Sequence, residues 1–586
     1  MLDCVPMRCR PWPLLALLVA VAALTLAGGA RQALADGPVV TTASDHTPDG
    51  SCDADCTLRE AIATVAQGQT ITFDIPGDGP HVIHLASAMD GLFRAGVTID
   101  GYSQPGAAPN SAEAWQPGNA DIRIVLDGDT IPGGQDSWGL WLSAKSLTVR
   151  GLSFVNFDDE AIKFATFPSA AIKGNYIGVW PDGVTAGPNA TGITLRSSET
   201  GNLVGGSAPA DRNVISGNSG PGIAVTGSSA VTVAGNFIGT DAGGAAALPN
   251  GGNGIDMKGG DGSTVGGAVS GAGNLLSGNQ GNGIAISTPD GRSINVKGNR
   301  IGVAADGVSP LPNQKNGVFL DQDAYDITIG GEFIPAEQNI IAYNQKAGVS
   351  LSSSASSQNY IDPNQMYANG GLGADLLDDG DVLANDHGDA DSGPNNLMNY
   401  PEVTTALLTG TVLTVDGQID TVPNQYTNMF FFANSECDPS GFGEGESFLG
   451  SYGVLAGATG IAHFQRTFTN PALGGRMIIT MSASDPESSS EFSRCEPIQR
   501  APDFNCDNGV DERDPLALVA YLAGAAASQP AATNCPGLGA SAGDSVYGDA
   551  DCDSQITLRD ALAVLIAIAG AERLPLPQGC AIVLPS

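Results

Sequence analysis

Residues 213–238 read NVISGNSGPGIAVTGSSAVTVAGNFI. Two Asn residues, Asn213 and Asn236, each precede an apolar pair, Val214-Ile215 and Phe237-Ile238. Between them Gly222-Ile223 opens a short apolar run. The same marks recur from Asn175 to Asn364, at Asn175-Tyr-Ile177, Asn274-Leu-Leu276, Asn299-Arg-Ile301, Asn339-Ile-Ile341 and Asn364-Gln-Met366, with spacings of 38, 23, 38, 25, 40 and 25 residues. The Gly-apolar start returns at Gly192, Gly254, Gly283, Gly317 and Gly348. A third mark, apolar-Gly-Gly, appears at Val204, Val265 and Ile329. Self-similarity at this scale means stacked supersecondary units.

Each unit holds about three strands of three to five residues, alternately apolar, with turn residues between them. No amphipathic helix separates the strands, which removes βαβ folds. The pattern predicts one triangular coil per unit of a right-handed parallel β-helix. Inward Ile, Val and Leu then stack along the axis, and Asn at a repeated turn can bond from coil to coil. VTIDG (97–101), IRIVLDG (122–128) and LTVRGLSF (147–154) extend the texture back to Ile71. A β-propeller is the competing fold, but its blades need four longer strands per unit. The fold class expected is mainly β: a pectin-lyase-like parallel β-helix, then a β-sandwich and a small α-helical domain.

An open β-helix end exposes strand edges. Residues 52–62, CDADCTLREAI, supply a Cys-closed turn and a short helix, with Thr57 as N-cap and Glu60 completing a capping box. This stretch resembles the CSLREA domain at the start of secreted bacterial β-helix proteins, with Thr57 in place of the Ser. That resemblance implies an extracellular β-helix and no particular activity. After the repeat, residues 375–391 hold seven Asp, read as a solvated capping loop with a calcium site as the alternative. Residues 402–498 then alternate apolar and polar, as in TVLTVDG (411–417) and RMIITMSAS (476–484). They predict about seven strands of a β-sandwich.

Near the C-terminus lie two twelve-residue acidic loops, DFNCDNGVDERD (503–514) and DADCDSQITLRD (549–560). Oxygen ligands fall at alternate positions: Asp503, Asn505, Asp507, Asp511 and Asp514, with the Gly509 carbonyl, then Asp549, Asp551, Asp553, Thr557 and Asp560, with the Gln555 carbonyl. A hard cation takes six to eight oxygens, and this is EF-hand-type spacing for Ca²⁺. Apolar segments follow each loop. The tandem units resemble the dockerin module of secreted carbohydrate-associated proteins. The resemblance implies two calcium ions and docking to a cohesin-like or cell-surface protein. Glu512-Arg513 and Leu558-Arg559 stand where that family presents its partner-binding pair.

Arg8 and Arg10 precede an apolar run from Leu14 to Gly29 and an Ala33-Leu34-Ala35 cleavage site. This reads as a secretory signal peptide cut after Ala35. Eight Cys remain, expected as local disulfides: Cys52–Cys56, Cys437–Cys495, Cys506–Cys535 and Cys552–Cys580. A net charge of −37 argues against nucleic acid. No later run suits a membrane span. The domains expected are 1–35 signal peptide, 36–70 cap, 71–400 β-helix, 401–498 sandwich and 499–586 calcium module.

Parallel β-helices include pectate lyases and polygalacturonases, so an active site is sought among acidic residues. Asp158-Asp159-Glu160 resembles the Asp-Asp strand of polygalacturonases, but their Gly-His-Gly and Arg-Ile-Lys patterns are missing. Asp256 and Asp321 lie one double unit apart and can face one groove. These four Asp are weak catalytic candidates. The expected function is a secreted or surface calcium-binding β-helix that binds or displays glycan without cleaving it. A polysaccharide lyase or hydrolase and a structural adhesin are the alternatives.

Overall fold

The computed structural model describes residues 37–46, 48–164, 169–196, 200–287, 293–331 and 334–500, with residues 519, 541–542, 545–546, 557–559 and 562. The signal peptide, the two acidic loops apart from residues 557–559, and Cys506, Cys535, Cys552 and Cys580 lie outside the described residues.

Three parallel sheets run the length of the β-helix. The first has eleven strands, from Val39–Val40 to Tyr360–Ile361, and the second ten, from His81–His84 to Gln365–Tyr367. The third also has ten, from Gly91–Leu92 to Ala374–Asp375. The chain visits them in turn, so each circuit lays one strand on each sheet. In one circuit these are Leu203–Gly205, Val214–Ile215 and Ile223–Val225. Strands of two to five residues suffice because each is hydrogen-bonded to the coil above and the coil below. Inward residues in register, such as Ile193, Ile223, Ile255, Ile284, Val318 and Val349, form one fully buried column. Val39–Val40, expected within the cap, instead forms the first rung by pairing with Thr72–Phe73.

The repeated Asn residues bond as a continuous buried ladder between the first and second sheets. From Asn175 through Asn213, Asn236, Asn274, Asn299 and Asn339 to Asn364, each Nδ2 donates to the next Oδ1 at 2.8–3.2 Å. The same oxygens accept the backbone N–H of the preceding Asn. Each rung thereby satisfies turn amides that water cannot reach.

A second ladder, absent from the sequence reading, fills the turn between the second and third sheets. It links Asn189, Asn218, Asn250, Asn279, Asn313, Asn344 and Asn369 through Nδ2–Oδ1 bonds of 2.8–2.9 Å. It also explains Gly192, Gly222, Gly254, Gly283, Gly317 and Gly348 on the strands of the third sheet. A Cβ on Gly222 would stand 2.9 Å from the Gly254 carbonyl oxygen and 3.0 Å from the Asn250 amide, too close for any side chain.

Both ends are closed. At the start, the Cys52–Cys56 disulfide precedes the helix Leu58–Thr64. Thr57 Oγ1 accepts from Glu60 N, and Glu60 Oε2 accepts from Thr57 N, completing the capping box. The helix buries Leu58, Ala61 and Ile62 on the first coil. Arg59 binds Asp45 with two hydrogen bonds of 3.0 and 2.8 Å and donates to the Ser87 and Ala88 carbonyls, tying the cap to the first coils.

At the far end, seven strands between Glu402 and Arg500 share one hydrogen-bonded order. The two halves of this sheet face each other, with Phe431 packed edge-on against Phe464 and Phe468. The Cys437–Cys495 disulfide joins two of its loops. Phe430, Phe432 and Phe492 turn the other way and enter the β-helix core. Backbone and side-chain groups of this sheet domain also take the last coil's free N–H groups: Met366 N donates to the Gly445 carbonyl and Ile361 N to Ser489 Oγ. The last coil's edge is covered, which blocks pairing with another chain.

Candidate functional site

The outer face of the third sheet carries a regular row of side chains. Register aligns Trp141, Lys163, Thr194, Ala224, Asp256, Ala285, Phe319 and Ser350 in one outward row. Their strand neighbours point into the core, so alternation forces these side chains out. Thr194, Ala224, Ala285 and Ser350 are small and buried, so Trp141, Lys163, Asp256 and Phe319 are the half-exposed members of the row. At strand spacing, Trp141 to Phe319 spans roughly 29 Å. A parallel outward row, two residues further along each strand, contains Lys258, Ser287 and Asp321.

Asp256 and Asp321 lie on this face, Asp158 and Asp159 lie in the bend before Glu160–Phe164, and the four are not brought together. Asp256 pairs with Lys258 at 3.2 Å and accepts from Asn253 Nδ2. Asp321 accepts from the Ser352 and Ser354 hydroxyls at 2.5 and 2.6 Å. Burial works to raise its pKa, but these hydroxyls and the Gln322 backbone N–H hold it below the usual carboxylate value. It is thus an anion rather than a proton donor. Two coils and two residues separate Asp256 from Asp321, roughly 12 Å between Cα positions. Hydrolytic carboxylates stand about 5–9.5 Å apart. Asp159 Oδ2 accepts from Ser137 N, and Asp158 is exposed.

The aromatic end of the row was missed. Trp141 meets Phe93 and Trp138 with ring centroids 5.7 and 5.8 Å away, at 71° and 70°. Trp138 Nε1 donates to the Met89 carbonyl, and Lys163 Nζ lies 4.2 Å from its ring centroid. Arg196 bonds Glu160 at 3.1 Å on the same face. Gly139 precedes LWL as Gly does downstream, but Ala161 replaces it in EAIKF and the repeated Asn landmarks begin only at Asn175, so the alignment of these residues was not read. Elsewhere a cleft of about 620 Å³ is lined by Trp115, Ser207, Pro209 and Val269. Its one aromatic ring already carries Arg300 at 4.2 Å.

Two further groups offer metal-type donors. Asp386, Asp389 and Asp391 bring carboxylate oxygens within 4.8 Å of one another. Burial and the neighbouring carboxylates push Asp389 up to about 6. His84, Asp127 and Asp129 converge similarly, with His84 Nδ1 2.9 Å from Asp129 Oδ1. Of the acidic-loop ligands only Thr557 is described, and its Oγ1 accepts from Arg559 N.

A family model described as a right-handed β-helix region matches residues 186–386. Among curated proteins none matches the chain. Solved structures similar to it include the Azotobacter vinelandii mannuronan C-5 epimerase AlgE6 A-module. That match has 14% identity and TM-score 0.24, covering 55% of this chain and 85% of that one. The enzymatically active domain of bacteriophage CBA120 tailspike protein 2 gives 11% and 0.23, covering 73% and 71%. The Streptococcus pneumoniae surface adhesin PfbA gives 11% and 0.23, covering 59% and 93%. Among the described residues no helix is long and apolar enough to cross a membrane.

Proposed function

We propose that this is an exported β-helix protein that binds an extended glycan along the outer face of its third sheet without cleaving it. The observation that carries the reading is the long outward row from Trp141 to Phe319, whose one carboxylate, Asp256, pairs with Lys258, while Asp321 in the neighbouring row is held by Ser352 and Ser354. A linear polymer suits a linear row of small side chains. Cleavage needs two facing carboxylates, or a base beside a metal-bound acidic sugar, and the described residues of this face assemble neither.

The remaining parts of the proposal rest on sequence. The Arg8-to-Ala35 leader supports export. The capping-box helix at Leu58–Thr64 belongs with a CSLREA-type cap, and the seven-strand sheet with a β-sandwich. The loops 503–514 and 549–560 support a dockerin-like module that holds calcium and docks the chain to a cohesin-like or cell-surface protein.

The test uses the mature chain with calcium and a panel of acidic and neutral polysaccharides. Binding is followed by affinity electrophoresis, and cleavage by reducing ends and unsaturated-product absorbance. Binding without turnover is expected. Turnover would replace the reading with a lyase or hydrolase. Failure to bind any glycan would refute it and leave the adhesin alternative.

A further inference from the structure

The cluster of Phe93, Trp138 and Trp141 stands out against the rest of the surface. Only five Trp occur in 586 residues, and two of them meet here. Phe93 is 59% exposed. Its ring lies over Gly91, where a Cβ would come within 2.5 Å of it, and Gly91 pairs in register with Trp141. The absent side chain thus seats an exposed ring on the outward face. Trp138 is fixed by its bond to the Met89 carbonyl. Trp141 stands steeply between its two neighbours, and among the described residues its indole N–H has no partner. The rings form a rigid, angled platform rather than a collapsed apolar knot.

Charge surrounds the platform. The chain has 25 cationic against 62 acidic residues, yet among the described residues Lys163 makes no ion pair. Its ammonium rests on the Trp138 ring at 4.2 Å. A cation–π contact leaves the outer side of an ammonium free for an anion. Arg196 and Glu160 add a donor and an acceptor at the rim. The surround is polar, with Lys163, Arg196 and Glu160 beside the rings, and the row continues in register to Thr194 and Ala224.

We propose that Phe93, Trp138 and Trp141 form the anchoring subsite for one carboxylate-bearing sugar residue. Its apolar ring face stacks on the aromatics, and its carboxylate pairs with Lys163. This rests on the glycan-binding reading and gives it a position and a sugar class. Asp256 lies four strands from Trp141, roughly 19 Å away, so a short acidic oligomer at the platform stays clear of it.

The experiment is calorimetric titration of the mature chain with trigalacturonate and with cellotriose. The variants are Trp141→Ala, Phe93→Ala and Lys163→Gln. All three side chains point outward, and circular dichroism checks that the variants fold. Trigalacturonate should bind tighter than cellotriose. Trp141→Ala and Phe93→Ala should each weaken it at least tenfold, and Lys163→Gln should erase the acidic preference. If wild type binds trigalacturonate and the aromatic variants stay within twofold, the subsite is wrong while the glycan reading stands. If cellotriose binds equally and Lys163→Gln changes nothing, the acidic class is wrong. If wild type binds neither these nor any glycan of the larger panel, the glycan reading itself fails.

Discussion

Replacing Asn274 by Ala removes one rung from the middle of the first ladder. Asn274 Oδ1 accepts from Asn236 N and from Asn236 Nδ2, both at 3.0 Å. Its Nδ2 donates to the Val233 carbonyl at 2.8 Å and to Asn299 Oδ1 at 3.0 Å. The losses are unequal. Asn236 Nδ2 keeps the Val204 and Ala234 carbonyls, and Asn299 Oδ1 keeps the Asn274 backbone N–H. Asn236 N is left without its partner in a fully buried turn. An orphaned buried donor costs about 1–3 kcal/mol, and each other lost bond about 1 kcal/mol net. Asn274→Ala should therefore destabilise the chain by roughly 5 kcal/mol. Asn295→Ala is the control. That side chain is half-exposed, with one bond of 3.4 Å, and should cost under about 0.5 kcal/mol. Both variants are compared with wild type by urea denaturation, followed by circular dichroism. If Asn274→Ala costs less than about 1 kcal/mol, or no more than Asn295→Ala, the ladder is decoration and the argument fails.

Glu444 and Glu491 make the junction between the β-helix and the C-terminal sheet pH-sensitive. Glu444 Oε1 accepts from Asn369 N and Nδ2, ending the second ladder, and Glu491 accepts from Leu376 N and Leu383 N. Burial pushes both carboxyls from 4.5 up to about 7, against the pull of those donors. Folding thus favours the protonated form, a contribution fully present below pH 4.5 and lost as pH rises through about 7. At 1.36 kcal/mol per unit this is roughly 3 kcal/mol for each group. Glu444→Gln should flatten the pH dependence of amide exchange at Met366 and Asn369 between pH 5 and 8. An unchanged slope contradicts the assignment. Arg59→Ala strips Asp45 of a buried partner and should cost about 3–5 kcal/mol, read as early exchange of the cap helix. A cap that exchanges like wild type would show that the pair is dispensable. Calcium chelation should lower amide protection in residues 501–586 and leave residues 37–500 unchanged. Equal protection with and without chelator rules out the calcium loops.

The β-helix was legible because its restraints are local and repeated. A buried turn amide needs a partner in every coil, so Asn recurs at Asn213, Asn236 and Asn274, and the spacing reports the coil length. Gly222, Gly254 and Gly283 recur because backbone and a ladder amide leave no room for a Cβ. The cap was legible for a similar reason: Thr57 and Glu60 satisfy each other's backbone N–H within four residues, and Cys52 and Cys56 close one turn.

What the sequence by itself determined was the unit, its repetition and its first cap. Tertiary structure alone decided what meets across coils. Asp256 and Asp321 share a face yet fall in different rows, because register counts residues from each turn and not along the chain. Trp138, Trp141, Phe93 and Lys163 meet only once four strand and loop segments are stacked, and no periodic mark announces them. Glu444 and Glu491 lie far along the chain from the amides they cap. Their role exists only because the last coil's unpaired N–H groups must be satisfied by whatever folds against them.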